Sequence, residues 1–257
     1  LILNLFFGPA VNAAYSISMQ VNTALNRFVQ GFTTALNPQV VKRYSAGDFA
    51  TFENLVISGS KMSFMLLLFP VFVLMLVTDD VLRLWLGEVP EYSVVFVKLV
   101  LLNSLLESMT NSMSTAVQAT GRIRAYQVIV GLTLVMNLPL SWVMLRLGLP
   151  PATVLVIVIA LSLVTLGERV VILKRVVPQI SVGKFVRRVF IPLGGVGGIS
   201  AVVYIVGRCL LLSGRIHPVP AAVAGLLVVA LAEYVVGLDS RERAVVRDYI
   251  CSKIHLA

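Results

Sequence analysis

Apolar residues run through this chain in blocks of helix-spanning length, at 62–77, 94–106, 128–147, 152–167, 189–212 and 219–238. Each approaches the roughly 20 residues a helix needs to cross a bilayer, and the blocks are parted by short segments rich in Gly, Pro and charge. Residues 12–37, "NAAYSISMQVNTALNRFVQGFTTALN", break the pattern: they hold amides and an Arg, yet contain nothing that would end a helix. On a helix, Asn12, Ser16, Gln20, Thr23, Arg27, Gln30 and Thr34 fall within an arc of about 80°, and Asn22, Asn26, Thr33 and Asn37 flank it. Ala13, Ile17, Val21, Ala24, Phe28, Gly31, Phe32 and Ala35 fill the other side. The expected helix starts at Pro9 and stops at Asn37 before Pro38, long enough to cross the membrane.

A second polar stripe follows on the third span, where Asn103, Glu107, Asn111, Ser114 and Gln118 recur at helical spacing. A surface-lying amphipathic helix would carry Lys and Arg on its polar face. Here the face carries amides. Hydrogen bonding that only holds the bundle together remains open for such residues. A charged residue inside each stripe favours a wet cavity, with an Arg27–Glu107 contact allowed by their similar depth along the two helices.

The expected helices are therefore 9–37, 55–77, 92–119, 125–147 and 151–173, in a first domain over 1–177. Two more, 185–212 and 218–238, and a basic tail complete 178–257. This is an all-α polytopic membrane protein with about seven spans. Composition agrees, with 58% hydrophobic and 13% charged residues against about 25% charged in soluble domains.

Net charge +9 changes meaning once it is placed on loops. Lys42, Arg43, Lys61, Arg122, Arg124, the run Arg169 to Arg188 and the tail Arg241 to Lys253 lie on alternate connections, and only Arg83, Lys98, Arg146, Arg208 and Arg215 on the others. The positive-inside rule puts the first set, with the C-terminus, in the cytoplasm. The charge then marks topology and not a nucleic-acid surface. Lys61 and the Glu168–Arg169 pair sit near cytoplasmic span ends, where snorkelling to head groups is the expectation. Pro139 in "MNLPLSW" marks a bent helix, "GGVGG" a close helix contact, and Trp85 in "VLRLWLG" an interfacial anchor.

Chemistry is poorly provided for. No Gly-x4-Gly-Lys-Ser/Thr loop, His-Glu-x-x-His or Gly-x-Ser-x-Gly occurs, and the histidines are His217 and His255 alone. Cys209 and Cys251 fall near opposite membrane faces, so neither a disulfide nor a metal site is expected. The chain begins inside apolar sequence, "LILNLFF", without Met or a basic leader, and reads as a fragment lacking an upstream part.

The stretches "NLFFGPAVNAAYSISMQVNTALN", "LNPQVVKRYSAGD", "LRLWLGEVPEY", "QATGRIRAYQ" and "NLPLSW" resemble bacterial polysaccharide-biosynthesis membrane proteins. These are the oligosaccharide (O-antigen-type) flippases, related to multidrug-and-toxin extrusion (MATE-like) transporters. The resemblance implies a second six-helix lobe less its first helix, plus two extra C-terminal helices, in the bacterial cytoplasmic membrane. Its partners would be membrane lipids and a missing N-terminal lobe. It implies a transporter and not an enzyme, carrying undecaprenyl-pyrophosphate-linked oligosaccharide by alternating access. On that reading Arg27 meets phosphate, while Asn22, Asn26, Gln20, Gln30, Asn103 and Asn111 serve sugar hydroxyls. Glu107 couples transport to Na+ or H+, with no other cofactor. The alternatives are a cation-coupled multidrug exporter, a membrane-embedded glycan ligase or polymerase, and a structural scaffold. The short outer loops, "TDDVLRLWLGEVPEYS", "RLGLPP" and "LSGRIHPVP", disfavour the enzyme.

Overall fold

The computed structural model describes residues 2–213, 217–240, 242–244 and 247. Arg215, Arg241, Cys251, Lys253 and His255, with most of the expected basic tail, lie outside the described residues. Among the described residues there are helices and no strands. They are α1 (Ile2–Phe7), α2 (Pro9–Ser45), α3 (Phe49–Leu76), α4 (Thr78–Leu86), α5 (Ser93–Ala119), α6 (Ile123–Val135), α7 (Asn137–Arg146), α8 (Thr153–Val176), α9 (Val182–Phe185), α10 (Ile191–Leu212) and α11 (Pro218–Ala232). Two π-helical stretches, Val186–Phe190 and Glu233–Gly237, precede α10 and follow α11.

Among the described residues six helical segments, against about seven expected, are long and apolar enough to cross a membrane: Phe49–Leu76, Ser93–Ala119, Ile123–Arg146, Thr153–Val176, Val182–Leu211 and Pro218–Gly237. The polytopic membrane fold read from the apolar blocks is thus present. α2 is the longest helix, yet it is too polar to count among the six.

Two expected boundaries are corrected and one expected bend is found. α2 does not stop at Asn37 but carries Pro38 inside it and ends at Ser45. A proline costs one backbone bond, and in a helix packed against α3 and α5 the remaining ladder holds. α3 begins at Phe49 and not at 55, because Asp48 is its N-cap and accepts the Thr51 N–H at 3.1 Å. The span over 125–147 is interrupted at Met136, just before Pro139, so the bend sits where the sequence marks it.

The Asp48 cap carries a pH dependence. Hydrogen bonds from Thr51, side chain and backbone, and the Arg43 guanidinium at 3.2 Å hold its carboxyl below the usual Asp value. A depressed folded value contributes stability at pH above the unfolded value, lost as pH falls through the folded one. Thermal unfolding of the purified protein should therefore show a small acid destabilisation that Asp48→Asn removes, since Asn still caps, while Asp48→Ala lowers the midpoint at every pH.

The chain divides into two compact units, Leu1–Val182 and Gly183–Ala257. In the first, α5 is the central helix and packs on α2, α3 and α8. Lys61 on α3 has no solvent exposure at all, so it is a buried core residue and not the snorkelling one expected. Glu53, about two turns earlier on α3, is also buried and accepts the Ser181 N–H at 2.6 Å. On α4, Leu82 is buried while Leu84 and Trp85 project outward, the arrangement of an interfacial anchor. In the second unit, α10 packs on α11 and the following π-helix. A Cβ at Gly195 would lie 3.0 Å from Val236 Cγ1, so that glycine makes a close helix contact, whereas a Cβ at Gly194, Gly197 or Gly198 would meet nothing within 4 Å.

Candidate functional site

Helices in lipid gain nothing by hiding apolar surface from one another, so polar side chains decide which faces lock together. On α2 the flanking Asn residues do this. Asn22 Oδ1 accepts from Ser104 Oγ of α5 and from Asn26 Nδ2 at 2.7 Å, and Asn37 Oδ1 accepts from Thr115 Oγ1 at 2.8 Å. Both helices advance in the same sense between these two bonds, so α2 and α5 run parallel. Asn22 and Asn37 accordingly serve helix packing, the bundle-holding reading of their type, and Asn26 supports Asn22 from one turn along the same helix.

The stripe itself points the other way. Gln20, Arg27 and Gln30 are all exposed, and an open groove of about 500 Å³ is lined by Tyr15, Ser16, Met19, Gln20, Thr23 and Arg27. Ala24 also lines the groove, and from it an exposed apolar strip continues through Ala13, Phe28 and Ala35, with Phe28 62% exposed. α2 therefore shows a helix-facing edge, a polar stripe and an apolar strip in turn.

The stripe of α5 divides in the same manner. Asn103 is buried, and its Oδ1 accepts from Ser162 Oγ of α8 at 2.7 Å. Glu107 and Asn111 remain exposed and line a separate cavity of about 190 Å³ with Thr110, Ser162, Thr165 and Arg169. Arg27 and Glu107 form no ion pair, and line different cavities, because the Arg27 stripe is turned away from the α2 edge that meets α5. The expected contact between them is not made.

Arg169 is the residue that sequence reasoning misplaced. Instead of snorkelling, its Nη1 donates to Ser114 Oγ of α5 at 2.9 Å and its guanidinium lies 5.6 Å from the Tyr126 ring of α6. Ser114 and Tyr126 also bond each other through their hydroxyls. Glu168 accepts from Thr133 Oγ1 of α6 at 2.6 Å. Burial leaves Arg169 Nε and Glu168 Oε2 without partners among the described residues. The signal was present in "SLVTLGER", where Ser162, Thr165 and Arg169 repeat the helical spacing of the other stripes. Asn103 and Ser162 should be energetically coupled: a double-mutant cycle of Asn103→Leu and Ser162→Ala, read by unfolding in mixed detergent, is expected to return about 0.6–2 kcal/mol.

Neither cavity gathers three or more His, Cys, Asp or Glu side chains among the described residues. The arrangement can bind and pass polar groups inside a membrane bundle; it shows no nucleophile paired with a base. No curated protein and no solved structure matches this chain. The family model described as MatE matches residues 1–143, from α1 through most of α7. That covers more than half of the 257 residues, on an all-helical polytopic membrane fold, and the chain belongs to the MatE family of membrane exporters.

Proposed function

We infer that this exporter moves a lipid-linked oligosaccharide, a pyrophosphate-bridged glycan on a polyprenyl carrier, from the inner to the outer leaflet of the bacterial cytoplasmic membrane, its C-terminus being cytoplasmic. The observation that carries the reading is the surface of α2, where Gln20, Arg27 and Gln30 are exposed along one face of a membrane helix. Amides offer paired donors and acceptors for sugar hydroxyls, and a guanidinium suits a phosphate oxygen pair. The neighbouring apolar strip through Phe28 suits a hydrocarbon tail that never leaves lipid. Head group and tail of one amphiphile are thus served by adjacent strips of one helix. Glu107, exposed beside Asn111 in the second cavity, is the coupling group on this reading. The N-terminal unit acts as one lobe and requires a partner lobe to close the path.

A multidrug exporter of the same family is the competing reading, and such a cavity would have to receive cations. The solitary Arg27 in the α2 groove, with no acidic residue lining it, opposes that. The test reconstitutes the full-length protein in liposomes and measures, side by side, protection of a short-chain lipid-linked oligosaccharide from an external glycosidase and efflux of a cationic dye. Glycan transfer without dye efflux is the expected outcome; dye efflux without glycan transfer would establish the drug exporter.

A further inference from the structure

The outer side of α6 belongs to neither cavity. Ala125, Val128, Ile129, Leu132, Val135 and Met136 fall within about 120° of arc on this helix and its C-cap, and all six are exposed. The inner side is spoken for: Tyr126 and Val130 are buried, and the Tyr126 and Thr133 hydroxyls bond Ser114 of α5 and Glu168 of α8. From Ala125 to Met136, where the helix is interrupted, the apolar stripe extends about 16 Å, close to the roughly 15 Å of hydrocarbon in one leaflet.

Two cations stand at the head of this stripe. The chain turns into α6 at Gly121, whose φ of 72° is the left-handed conformation that suits glycine. Past the turn, Arg122 and Arg124 line one groove of about 720 Å³ together with Ala125, Val128 and Ile129. Other cations assigned to the cytoplasmic side are engaged: Arg43 with Asp48, Lys174 with the Pro178 and Ile180 carbonyls, and Arg188 with Asp239. The Arg122 and Arg124 side chains are exposed and donate to no protein group among the described residues, and no acidic side chain lines their groove.

We propose that this groove holds one anionic glycerophospholipid of the cytoplasmic leaflet, its phosphate between the Arg122 and Arg124 guanidiniums and an acyl chain laid along the α6 stripe. The site is independent of the cargo, and serves a glycan exporter and a drug exporter alike. Guanidiniums bind phosphate oxygens in pairs, and the cytoplasmic leaflet is the one that carries anionic lipid. A free phosphate would satisfy the two arginines and leave the apolar floor of the groove bare. An amphiphile covers both, and the stripe has the length of its chain. A lipid fixed there braces the helix whose inner side, through Tyr126 and Thr133, joins α5 and α8.

The experiment places the full-length protein in phosphatidylcholine nanodiscs with a trace of phosphatidylglycerol carrying a photoreactive diazirine in one acyl chain. After irradiation, the labelled peptides are mapped by mass spectrometry, and the fold of each variant is checked by gel filtration. Labelling is expected to concentrate on residues 123–136 and to be displaced by excess unlabelled phosphatidylglycerol, with inorganic phosphate having no effect. Arg122→Gln with Arg124→Gln should lower it by about tenfold or more, and the corresponding double Lys variant should restore most of it. Arg175→Gln with Arg187→Gln removes two other exposed cations and should leave it unchanged. Equal labelling by a phosphatidylcholine probe would reduce the groove to ordinary lipid contact, and displacement by inorganic phosphate would make it a site for the free anion; either overturns the proposal. So does an unlabelled α6, which would mean that protein covers this face, or an equal loss in the Arg175 and Arg187 variant, which would mean general surface charge.

Discussion

Arg27→Ala is expected, on the proposed function, to cut export of the surface glycan by roughly ten- to hundredfold at unchanged protein abundance in the membrane. Loss of a hydrogen bond to a charged group costs about 1.5–3 kcal/mol, and each 1.4 kcal/mol is tenfold. Arg27 lies on the exposed stripe of α2, and nothing in the groove replaces its charge. Its removal therefore touches no packing contact of the bundle, and thermal stability should stay within the ±0.5 kcal/mol typical of a surface change. Arg27→Lys keeps the charge and loses the two-pronged geometry, so it should recover part of the activity. The informative measurement is surface glycan scored with membrane abundance for all three proteins. Normal export by both variants would end the assignment of the α2 stripe as the substrate path. The packing residue Asn22 provides the contrast: Asn22→Leu takes away the acceptor Ser104 has on α2, leaving its hydroxyl only the Val100 carbonyl of its own helix, and should lower stability together with export.

Gly59→Ala is the second large effect, and it acts on the fold. Gly59 sits on α3 where α2 and α5 converge, and an added Cβ would lie 2.3 Å from Leu36 Cδ2 and 2.4 Å from Ser112 Oγ. Those two ends can rotate away, but Ser112 Cβ at 3.1 Å cannot without moving α5. Overpacking of this kind costs about 1–3 kcal/mol. The cost should appear as a lower unfolding midpoint and reduced membrane abundance. Adding Ser112→Gly should restore part of it, because the second change removes Ser112 Oγ and Cβ and leaves only the movable end of Leu36, while a glycine inside α5 itself costs about 1 kcal/mol. Equal stability of Gly59→Ala and the unmodified protein would show that α3 stands further from α5 than the structure has it. The same junction explains why Asn37 and Thr115 bond only a short way along: a small residue brings the helices close enough for short polar side chains to reach across.

Helix positions and the membrane class were legible from the apolar blocks, since a 20-residue apolar run has few other solutions in water or lipid. The family resemblance over the early helices agrees with the match to residues 1–143. The finer reading of an O-antigen-type substrate rests on the α2 surface and awaits its test. Periodicity also placed the stripe of α2 correctly, because a helical wheel needs only local geometry. It carried no information on which edge of each wheel would meet a neighbour. Asn22 and Asn26 flank the stripe on the wheel, yet Asn22 meets Ser104 across the helix contact while Arg27 faces the groove.

What the sequence by itself determined is the long helices, their approximate ends and their polar faces, while the short α1 and α9 escaped it. These follow from contacts within a few residues along the chain and from hydropathy. What only the tertiary structure decided is the use of each polar group. Lys61 is buried although its loop position suggested a head-group contact, Arg169 turns inward to Ser114, and Arg27 and Glu107 occupy separate cavities. Rotation of one helix about its axis by a few tens of degrees costs nothing in local propensity but exchanges a partner for open space. That rotation is set by side chains far away in sequence, such as Ser104 for Asn22 and Ser162 for Asn103, because a polar group in a bundle must find its partner across helices.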